Sequence, residues 1–370
     1  MSPRLGMTLV LLLGWRVAFA ESLRLILPPV IHAVPGVEMT VEFANTVLLA
    51  PGAEESVSFR CECPVGRVEA GRWRLNAGTA EVGEHPFRLT VLDRLGRPVA
   101  SAETRLIVSP ASAGDGCEIR LLLIGGSLTH ASRYPNALAR LLSMPGNPDW
   151  RMLGTHRPSS AADGVAHEGY GGWTWNRFRT RFIPERPDPG KTNSSPFLFA
   201  GPDGRGLLDV DRYFRERCGG ARPDFIIVLL GINDCFGARP DSPATIDPTL
   251  DRMFGEADLL LKALRDAAPG AEIGLCLTPP GNQRDAAFEA NYGNRYPRWG
   301  WRRIQHRLVE RQIRHFANRE AERLHLVPTQ LNLDALGGYP VNNGVHPNDS
   351  GYQQIGATLY AWLKARLAGR

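Results

Sequence analysis

The chain has 370 residues, of which 43% are apolar and 22% charged, and its formal net charge is +5. This composition is typical of a globular protein long enough to bury a large core, and it excludes a disordered tail or a small disulfide-stapled domain. The cationic residues are spread along the chain rather than clustered, so the charge does not predict nucleic-acid binding.

Residues 1–20 have the pattern of a secretory signal peptide. Arg4 precedes an apolar stretch from Leu5 to Trp15, and Ala18-Phe19-Ala20 supplies a small-residue cleavage pattern. The stretch is shorter than the roughly 17–25 residues that a membrane-spanning helix needs, and no later segment comes close. The sequence therefore predicts a secreted or periplasmic protein with no transmembrane segment in the mature chain.

Residues 21–110 alternate between apolar and polar side chains. Runs with a period of two, such as Val37–Phe43, Val57–Cys61 and Phe87–Leu92, are separated by Pro and Gly turns, which indicates antiparallel strands. We expect a hairpin between Phe87–Leu92 and Val99–Val108. The segment as a whole predicts a small all-β sandwich domain, followed by a linker at residues 111–116.

From Cys117 to residue 370 the pattern changes to apolar strands alternating with helices, which is typical of a parallel sheet covered on both faces. Five strands are predicted: Ile119–Ile124, Trp150–Gly154, Asp224–Leu230, Glu272–Leu277 and Leu324–Val327. Helices are predicted near Tyr134–Leu142, Trp173–Phe182, Val210–Arg217, Leu250–Ala267, Trp299–Ala321 and Ser350–Leu367. The segment Pro184–Gly206 is rich in Pro and Gly and long for a connection, so we expect a rim or lid there.

Four polar blocks in this second domain lie at strand ends or helix starts, where ligands bind in open α/β sheets. In chain order they are Gly125-Gly126-Ser127-Leu128-Thr129, Gly171-Gly172-Trp173-Thr174, Gly231-Ile232-Asn233-Asp234 and Gly344-Val345-His346-Pro347. Each block alone also fits a turn, a cap or a surface histidine. Four such blocks in one domain, in the chain order Ser, Gly, Asn, His, are much harder to explain as separate turns, and the Asn233 amide could donate to a developing oxyanion.

In these four blocks the chain resembles the SGNH (GDSL-type) hydrolases, over Cys117 to the C-terminus. The resemblance implies that Ser127 is the nucleophile and His346 its general base. It further implies an oxyanion hole built from the backbone N–H groups of Ser127 and Gly172 and the side chain of Asn233. The implied fold class is α/β, a flavodoxin-like three-layer sandwich with a parallel five-stranded sheet, here preceded by the small all-β sandwich domain.

Two positions depart from that family pattern. Gly126 stands where the first block usually has an aspartate, and Asn343 stands where the aspartate of the catalytic triad is expected. An amide can orient an imidazole but does not neutralise its charge, and an aspartate-to-asparagine change costs about 10⁴-fold in a serine protease. We therefore expect a Ser–His dyad in which Asn343 or a main-chain oxygen orients His346, with Asp334 as an alternative acid.

Several tryptophans, histidines and cysteines need a separate interpretation. Trp173 and Trp175 are candidate substrate-binding residues that could stack on sugars, as are Trp299 and Trp301; the alternative is that they belong to the core. His156 and His167 lack the spacing of a metal site, so neither a metal nor another cofactor is predicted. If a disulfide forms in the second domain, the expected pair is Cys235 with Cys276.

These observations predict an exported serine esterase that hydrolyses short acyl esters, O-acetyl esters on carbohydrate above all, through an acyl-serine intermediate. The expected partner is a small-molecule or polysaccharide ester, with no nucleic acid, and the sequence leaves the oligomeric state undetermined. One alternative is a lipid or aryl-ester hydrolase. An alternative of another class, motivated by Gly126 and Asn343, is a catalytically impaired glycan-binding protein.

Overall fold

The computed structural model describes residues 23–49 and 51–369. The predicted signal peptide, residues 1–20, lies outside the described residues. Across the described ranges, no helix combines the length and the apolar character that crossing a membrane requires.

The N-terminal β-region, residues 23–108 apart from residue 50, contains two facing sheets. Its strands are β1 (Val30–Ala33), β2 (Glu38–Glu42), β3 (Ser58–Glu62), β4 (Arg67–Glu69), β5 (Arg72–Asn76), β6 (Gly83–Leu92) and β7 (Pro98–Val108). One sheet has the order β1-β7-β6-β3 and the other the order β2-β5-β4. The long antiparallel pair β6–β7 confirms the predicted hairpin. One pairing differs from the expected antiparallel pattern, since β1 runs parallel to β7.

The two sheets of the N-terminal β-region enclose an apolar core. Trp73 and Phe87 face each other across it, with ring centroids 5.3 Å apart in an edge-to-face arrangement. Both side chains are buried, as the alternation of their strands predicts. Leu331, more than two hundred positions later in the chain, is fully buried in the same core. The core of this region is therefore completed by a residue from the second half of the chain.

The second region begins at strand β8 and alternates strands with helices. Its strands are β8 (Glu118–Gly125), β9 (Asp149–Leu153), β10 (Glu168–Gly169), β11 (Leu198–Ala200), β12 (Gly206–Leu208), β13 (Phe225–Leu229), β14 (Glu272–Cys276) and β15 (Leu324–Val327). Its helices are α1 (Ser127–His130), α2 (Arg133–Leu142), α3 (Trp175–Thr180), α4 (Val210–Arg217), α5 (Ile232–Cys235), α6 (Pro243–Ala267), α7 (Asp285–Tyr292), α8 (Arg298–Phe316) and α9 (Asp349–Ala368).

The main sheet of this region has the parallel order β9-β8-β13-β14-β15, and the two-residue β10 extends the edge beside the end of β8. This is the strand order of flavodoxin-like folds, so the predicted α/β three-layer sandwich is confirmed. Helices α2 and α9 cover one face, and α6 and α8 cover the other. All five residues of β13 are buried, which explains its uninterrupted apolar sequence.

The segment Pro184–Gly206, expected to be a rim or lid, is partly built into the core. Ser194, Ser195 and Phe197 are buried, and Phe197 packs on Phe178 of α3. The segment ends in the short antiparallel pair β11–β12. Because its middle is anchored in the apolar core, it is a packed part of the fold and not a free lid.

Buried hydrogen bonds join the N-terminal β-region to the chain that follows β15. Oγ1 of Thr40 donates to Oδ1 of Asn332 over 2.8 Å, and the backbone N–H of Thr40 donates to the same oxygen over 2.9 Å. Nδ2 of Asn45 donates to the carbonyl oxygens of Gln330 and Leu333, at 2.9 and 2.8 Å. The N-terminal β-region thus holds residues 330–333, which lead toward His346.

All six cysteines are free thiols. The disulfide expected between Cys235 and Cys276, if any formed in the second region, is absent. Sγ of Cys235 lies 3.5 Å from the sulfur of Met253, and Cys276 is buried in the apolar layer on the other side of the sheet. The two thiols belong to opposite faces of the sheet, and strand-edge position alone could not reveal this.

Candidate active site

Ser127 begins helix α1 directly after strand β8 ends at Gly125. The turn between them is tight, since a Cβ placed on Gly125 would lie 1.9 Å from Oγ1 of Thr129 and 2.9 Å from the carbonyl oxygen of Leu229. A larger residue at position 125 would therefore clash with the backbone of the neighbouring strand. The glycine keeps the turn closed and presents Ser127 at the carboxyl edge of the sheet.

His346 faces this serine from the loop before α9. Its Nε2 lies 2.8 Å from Oγ of Ser127, within ordinary hydrogen-bond distance. Burial lowers the pKa of His346 below its ordinary value. The ring is therefore held in its neutral form, which is the form that can accept the serine proton.

Asn343 orients the imidazole of His346. Its Oδ1 lies 3.2 Å from Nδ1 of His346 and also accepts the backbone N–H groups of His346 and Val345, at 2.9 and 3.1 Å. An amide oxygen can only accept, so Nδ1 carries the proton and Nε2 is left with a lone pair toward Ser127. Asp334 instead accepts the backbone N–H groups of Leu336 and Gly337 within its own turn. Asn343 therefore contacts the ring of His346, whereas the Asp334 carboxylate bonds within its own turn.

Two of the three predicted oxyanion donors, Ser127 and Asn233, line a very small pocket, and the third, Gly172, does not. Ser127, Trp173 and Asn233 all line it, and its volume is about 10 Å³. Nδ2 of Asn233 donates to the carbonyl oxygen of Trp173 over 3.0 Å, which fixes the amide and leaves its second N–H for another acceptor. Gly172, whose φ is +78°, directly precedes Trp173 and is exposed.

Gly126 acquires a specific explanation from the position of Asn233. A Cβ at position 126 would lie 2.9 Å from Nδ2 of Asn233. The absence of a side chain therefore lets the amide approach the backbone beside Ser127. The glycine at position 126 motivated the hypothesis of an impaired site. In this structure it makes room for the amide of Asn233.

Trp173 and Trp175 do not form a substrate platform, which corrects the expectation that they contact a sugar. Their exposed fractions are 0% and 4%, and Trp173 packs against Tyr170 and Phe178 with ring centroids 4.7 and 4.9 Å away. Nε1 of Trp173 donates to the carbonyl oxygen of Lys191. Both side chains belong to the core beneath the Gly171–Thr174 block, where they hold its backbone in place.

Three supporting residues were not identified from the sequence. Asp234 is half-buried, and its Oδ1 accepts the backbone N–H of Trp175 over 3.1 Å. Nη1 of Arg177 donates to the carbonyl oxygen of Gly172 over 2.8 Å. Nδ2 of Asn282 donates to the carbonyl oxygen of Asn343 over 3.0 Å. Only Asp234 carried a local signal, its place beside Asn233; the other two contacts depend on how distant segments meet.

Three of the histidines outside the site, His130, His156 and His167, lie in a row that begins at the end of α1. Nδ1 of His130 lies 2.9 Å from Nε2 of His156, and Nε2 of His167 lies 2.9 Å from Oγ of Ser132. Burial lowers the pKa of His156 to about 4 and that of His167 to about 3, so both are neutral at pH 7. Among the residues that the structure describes, no three His, Cys, Asp or Glu side chains are grouped so that they could hold a metal ion.

The family model of the GDSL-like lipase/acylhydrolase family matches residues 123–354, which include all four blocks. The chain belongs to this family, and it is a carboxylic ester hydrolase. No curated protein matches the chain.

Solved structures similar to the chain share low identity with it. A carbohydrate esterase family 3 protein from Talaromyces cellulolyticus is 18% identical, with 68% of this chain and 99% of that chain covered and a TM-score of 0.39. An acetyl esterase mutant with an acetate ion is 18% identical, with coverages of 67% and 98% and a TM-score of 0.40. A family two carbohydrate esterase from Clostridium thermocellum, in complex with cellohexaose, is 16% identical, with 90% of each chain covered and a TM-score of 0.39.

Proposed function

We propose that this protein is an exported serine esterase that removes short acyl groups, chiefly O-acetyl groups, from carbohydrate through an acyl-serine intermediate. The observation that carries the proposal is the pairing of Oγ of Ser127 with Nε2 of His346 at 2.8 Å, beside a pocket of about 10 Å³. The pairing supports the nucleophile and its base. The pocket supports the size of the acyl group.

The acyl group is argued from the space beside the nucleophile. A volume of about 10 Å³ is close to the smallest that admits one water molecule, so the pocket accepts a group of about methyl size. An acetyl group needs little more space than this beside Ser127, whereas an octanoyl chain would have to extend out of the pocket. This favours a short-chain esterase over the alternative of a long-chain lipid hydrolase.

The alcohol part of the ester is argued from the surface around the dyad. Gly172, Arg177 and Asn342 are exposed beside the catalytic blocks and offer polar groups, and Val341 adds a single exposed apolar side chain next to Asn342. A polyhydroxylated alcohol suits such a surface better than an acyl lipid does. The signal-peptide pattern of residues 1–20 supports export of the protein. An exported enzyme can reach polysaccharide esters outside the cell.

The proposed reaction begins when Oγ of Ser127 attacks the ester carbonyl carbon while Nε2 of His346 takes the serine proton. The charge that develops on the carbonyl oxygen is stabilised by the N–H groups of Ser127 and Gly172 and by the amide of Asn233. The imidazolium then gives its proton to the departing sugar oxygen, and the acyl group stays on Ser127. His346 then takes a proton from a water molecule, which attacks the acyl-serine carbonyl carbon. As the bond from that carbon to Oγ of Ser127 breaks, the imidazolium returns the proton to Oγ, and the carboxylic acid leaves.

A fluorophosphonate probe tests the nucleophile, and an ester panel tests the substrate. We expect the probe to label the wild-type chain at Ser127 and not the Ser127→Ala variant. On nitrophenyl esters, kcat/KM should fall from acetyl to octanoyl, and acetylated polysaccharides should release acetate. Preference for octanoyl or for lipid esters would favour the lipase alternative, and an unlabelled wild-type chain would favour the impaired glycan-binding protein.

A further inference from the structure

A cleft of about 300 Å³ separates the N-terminal β-region from the start of helix α8. We call it the interdomain cleft and define it by six of its lining residues: Val47, Asn282, Phe288, Arg298, Trp299 and Trp301. Its volume is at the lower end of the range found for small-molecule sites, roughly 300–1,000 Å³. The proposed reaction uses none of these residues.

The wall of the interdomain cleft is bonded directly to the loop that carries the catalytic histidine. The backbone N–H of Asn282 donates to the carbonyl oxygen of Gly344 over 2.8 Å, and its side chain donates to that of Asn343 over 3.0 Å. The ring of Phe288 lies 2.9 Å from the point where a Cβ of Gly344 would stand. Asn282 and Phe288 therefore separate the cleft from the Asn343–His346 loop and contact both.

The chemistry of the cleft combines aromatic surface with a free donor. Trp299 is half-buried, and Arg298 stacks over its ring at 4.7 Å, which fixes the indole and leaves its opposite face for a ligand. Trp301 is buried, with an exposed fraction of 3%, and its Nε1 meets no acceptor in the part of the chain that the structure describes. A buried N–H without an acceptor is costly, so a ligand oxygen placed there would be favoured.

The two arginines that line the cleft, Arg298 and Arg302, donate hydrogen bonds to groups of the protein itself. Nε of Arg298 donates to Oδ1 of Asp285 over 2.9 Å. Nη2 of Arg302, which also lines the cleft, donates to the backbone carbonyl oxygens of Ala44 and Val47. Both guanidinium groups are thus held by acceptors of the protein itself, and much of the remaining lining of the cleft is apolar and aromatic, which suits a ligand with an apolar face.

We infer that the interdomain cleft is a subsite for one neutral sugar unit of the glycan that carries the ester. A pyranose has an apolar C–H face for the Trp299 indole and hydroxyl oxygens for Nε1 of Trp301. The inference rests on the proposed function, since it assigns the carbohydrate to the same enzyme. It makes the sugar chain run from Ser127 across the Asn343–His346 loop to the N-terminal β-region.

The test compares Trp299→Ala with the wild-type chain on p-nitrophenyl acetate and on acetylated oligosaccharides of increasing length. In the wild type, KM should fall once the chain is long enough to reach the cleft. Trp299→Ala should raise KM for the long oligosaccharides about tenfold, as loss of an anchoring aromatic does elsewhere, and leave nitrophenyl acetate hydrolysis unchanged. Trp301→Phe, which removes only the N–H, should have a smaller effect in the same direction.

Trp150→Ala is the matched control, because Trp150 is also half-buried but lies on the edge strand β9 and bonds only Ser143. It should leave all KM values at the wild-type level. Equal KM values for Trp299→Ala and wild type at every length would overturn the inference, and so would an equal loss on oligosaccharides and nitrophenyl acetate.

Calorimetry with an unacetylated oligosaccharide separates this inference from the proposed function. If the enzyme releases no acetate from any glycan, the proposed function fails; binding that is present in the wild type and lost in Trp299→Ala still supports the cleft. If acetate is released but no unacetylated oligosaccharide binds, the proposed function stands and the cleft inference is overturned.

Discussion

Asn343 holds Nδ1 of His346 with an oxygen that also accepts two backbone N–H groups of the same turn. The imidazole is thus oriented by a neutral amide that is itself fixed at three points. The orientation expected of a triad is retained, and the negative charge of a triad is absent.

Asn343→Asp should supply that charge. A carboxylate 3.2 Å from Nδ1 would stabilise the imidazolium and raise the pKa of His346. Because the neutral ring is the base, the acidic limb of the rate profile should move to higher pH, and kcat above the limb should rise. Asp334→Asn is the control, and it should leave the limb unmoved. An unmoved limb in Asn343→Asp together with a severe loss in Asp334→Asn would show that Asp334 is the orienting acid.

The acidic limb of the wild-type pH–rate profile should lie below the ordinary pKa of histidine. Burial lowers the pKa of His346. In the described part of the chain, its ring bonds to Asn343 and Ser127 and to no carboxylate. The fraction of neutral base therefore stays high below the ordinary histidine pKa of about 6.5, and activity should extend into that range. A kcat/KM profile between pH 4 and 9 measures this. A limb above the ordinary value would contradict the burial effect.

Ser127→Ala and His346→Ala should each lower kcat on the order of 10⁴-fold or more, because nucleophile and base act as one unit. The double variant should be little worse than either single variant. Circular dichroism of each variant checks that the fold is retained. Losses that simply multiply would mean that the two residues act independently, against the 2.8 Å contact.

Asn233→Ala should reduce kcat by roughly 10²–10³-fold with little change in KM, since the amide acts on the charge that develops in the transition state. The same substitution removes the hydrogen bond to the carbonyl oxygen of Trp173. Steady-state kinetics on an acetyl ester separates the two constants. An effect confined to KM would show that Asn233 only binds substrate.

Asp234 should make stability depend on pH. Burial raises its pKa to about 7, and its Oδ2 has no partner in the described part of the chain. The native state therefore holds a proton that the unfolded state loses above its own pKa near 3.9, so stability should fall as pH rises from about 4 to 7. At about 1.4 kcal/mol per pKa unit the fall is on the order of 4 kcal/mol.

Urea unfolding at several pH values checks this prediction. Asp234→Asn should reduce the pH dependence, because an amide does not titrate. Part of the slope should remain, since burial also raises the pKa of Glu42 to about 7. Asp266→Asn, at an exposed carboxylate paired with Lys262, should leave the slope as in the wild type. A slope in Asp234→Asn equal to that of the wild type would assign the effect to another group.

The parts of the molecule that local pattern determines were predicted from the sequence. Strands such as Phe225–Leu229 are continuous apolar runs, and a parallel sheet brings their carboxyl ends to one edge. The sequence could therefore predict that Ser127 and Asn233 lie close together, and both line one pocket. The orientation of Trp173 was not predictable, because position at a helix start does not decide whether a ring faces solvent or core. The contact of Asn282 with Asn343 was not predictable either, since it joins segments whose approach depends on the whole fold.

The burial of Leu331 in the core of the N-terminal β-region, together with the bonds from Asn45, bears on how such enzymes can be recombined. A catalytic fragment cut at the linker would expose an apolar side chain and leave the carbonyl oxygens of Gln330 and Leu333 without their donor. Transplanting the β-region onto another hydrolase would likewise leave its core incomplete. The two parts are expected to be inherited, exchanged and engineered as one unit rather than as interchangeable modules.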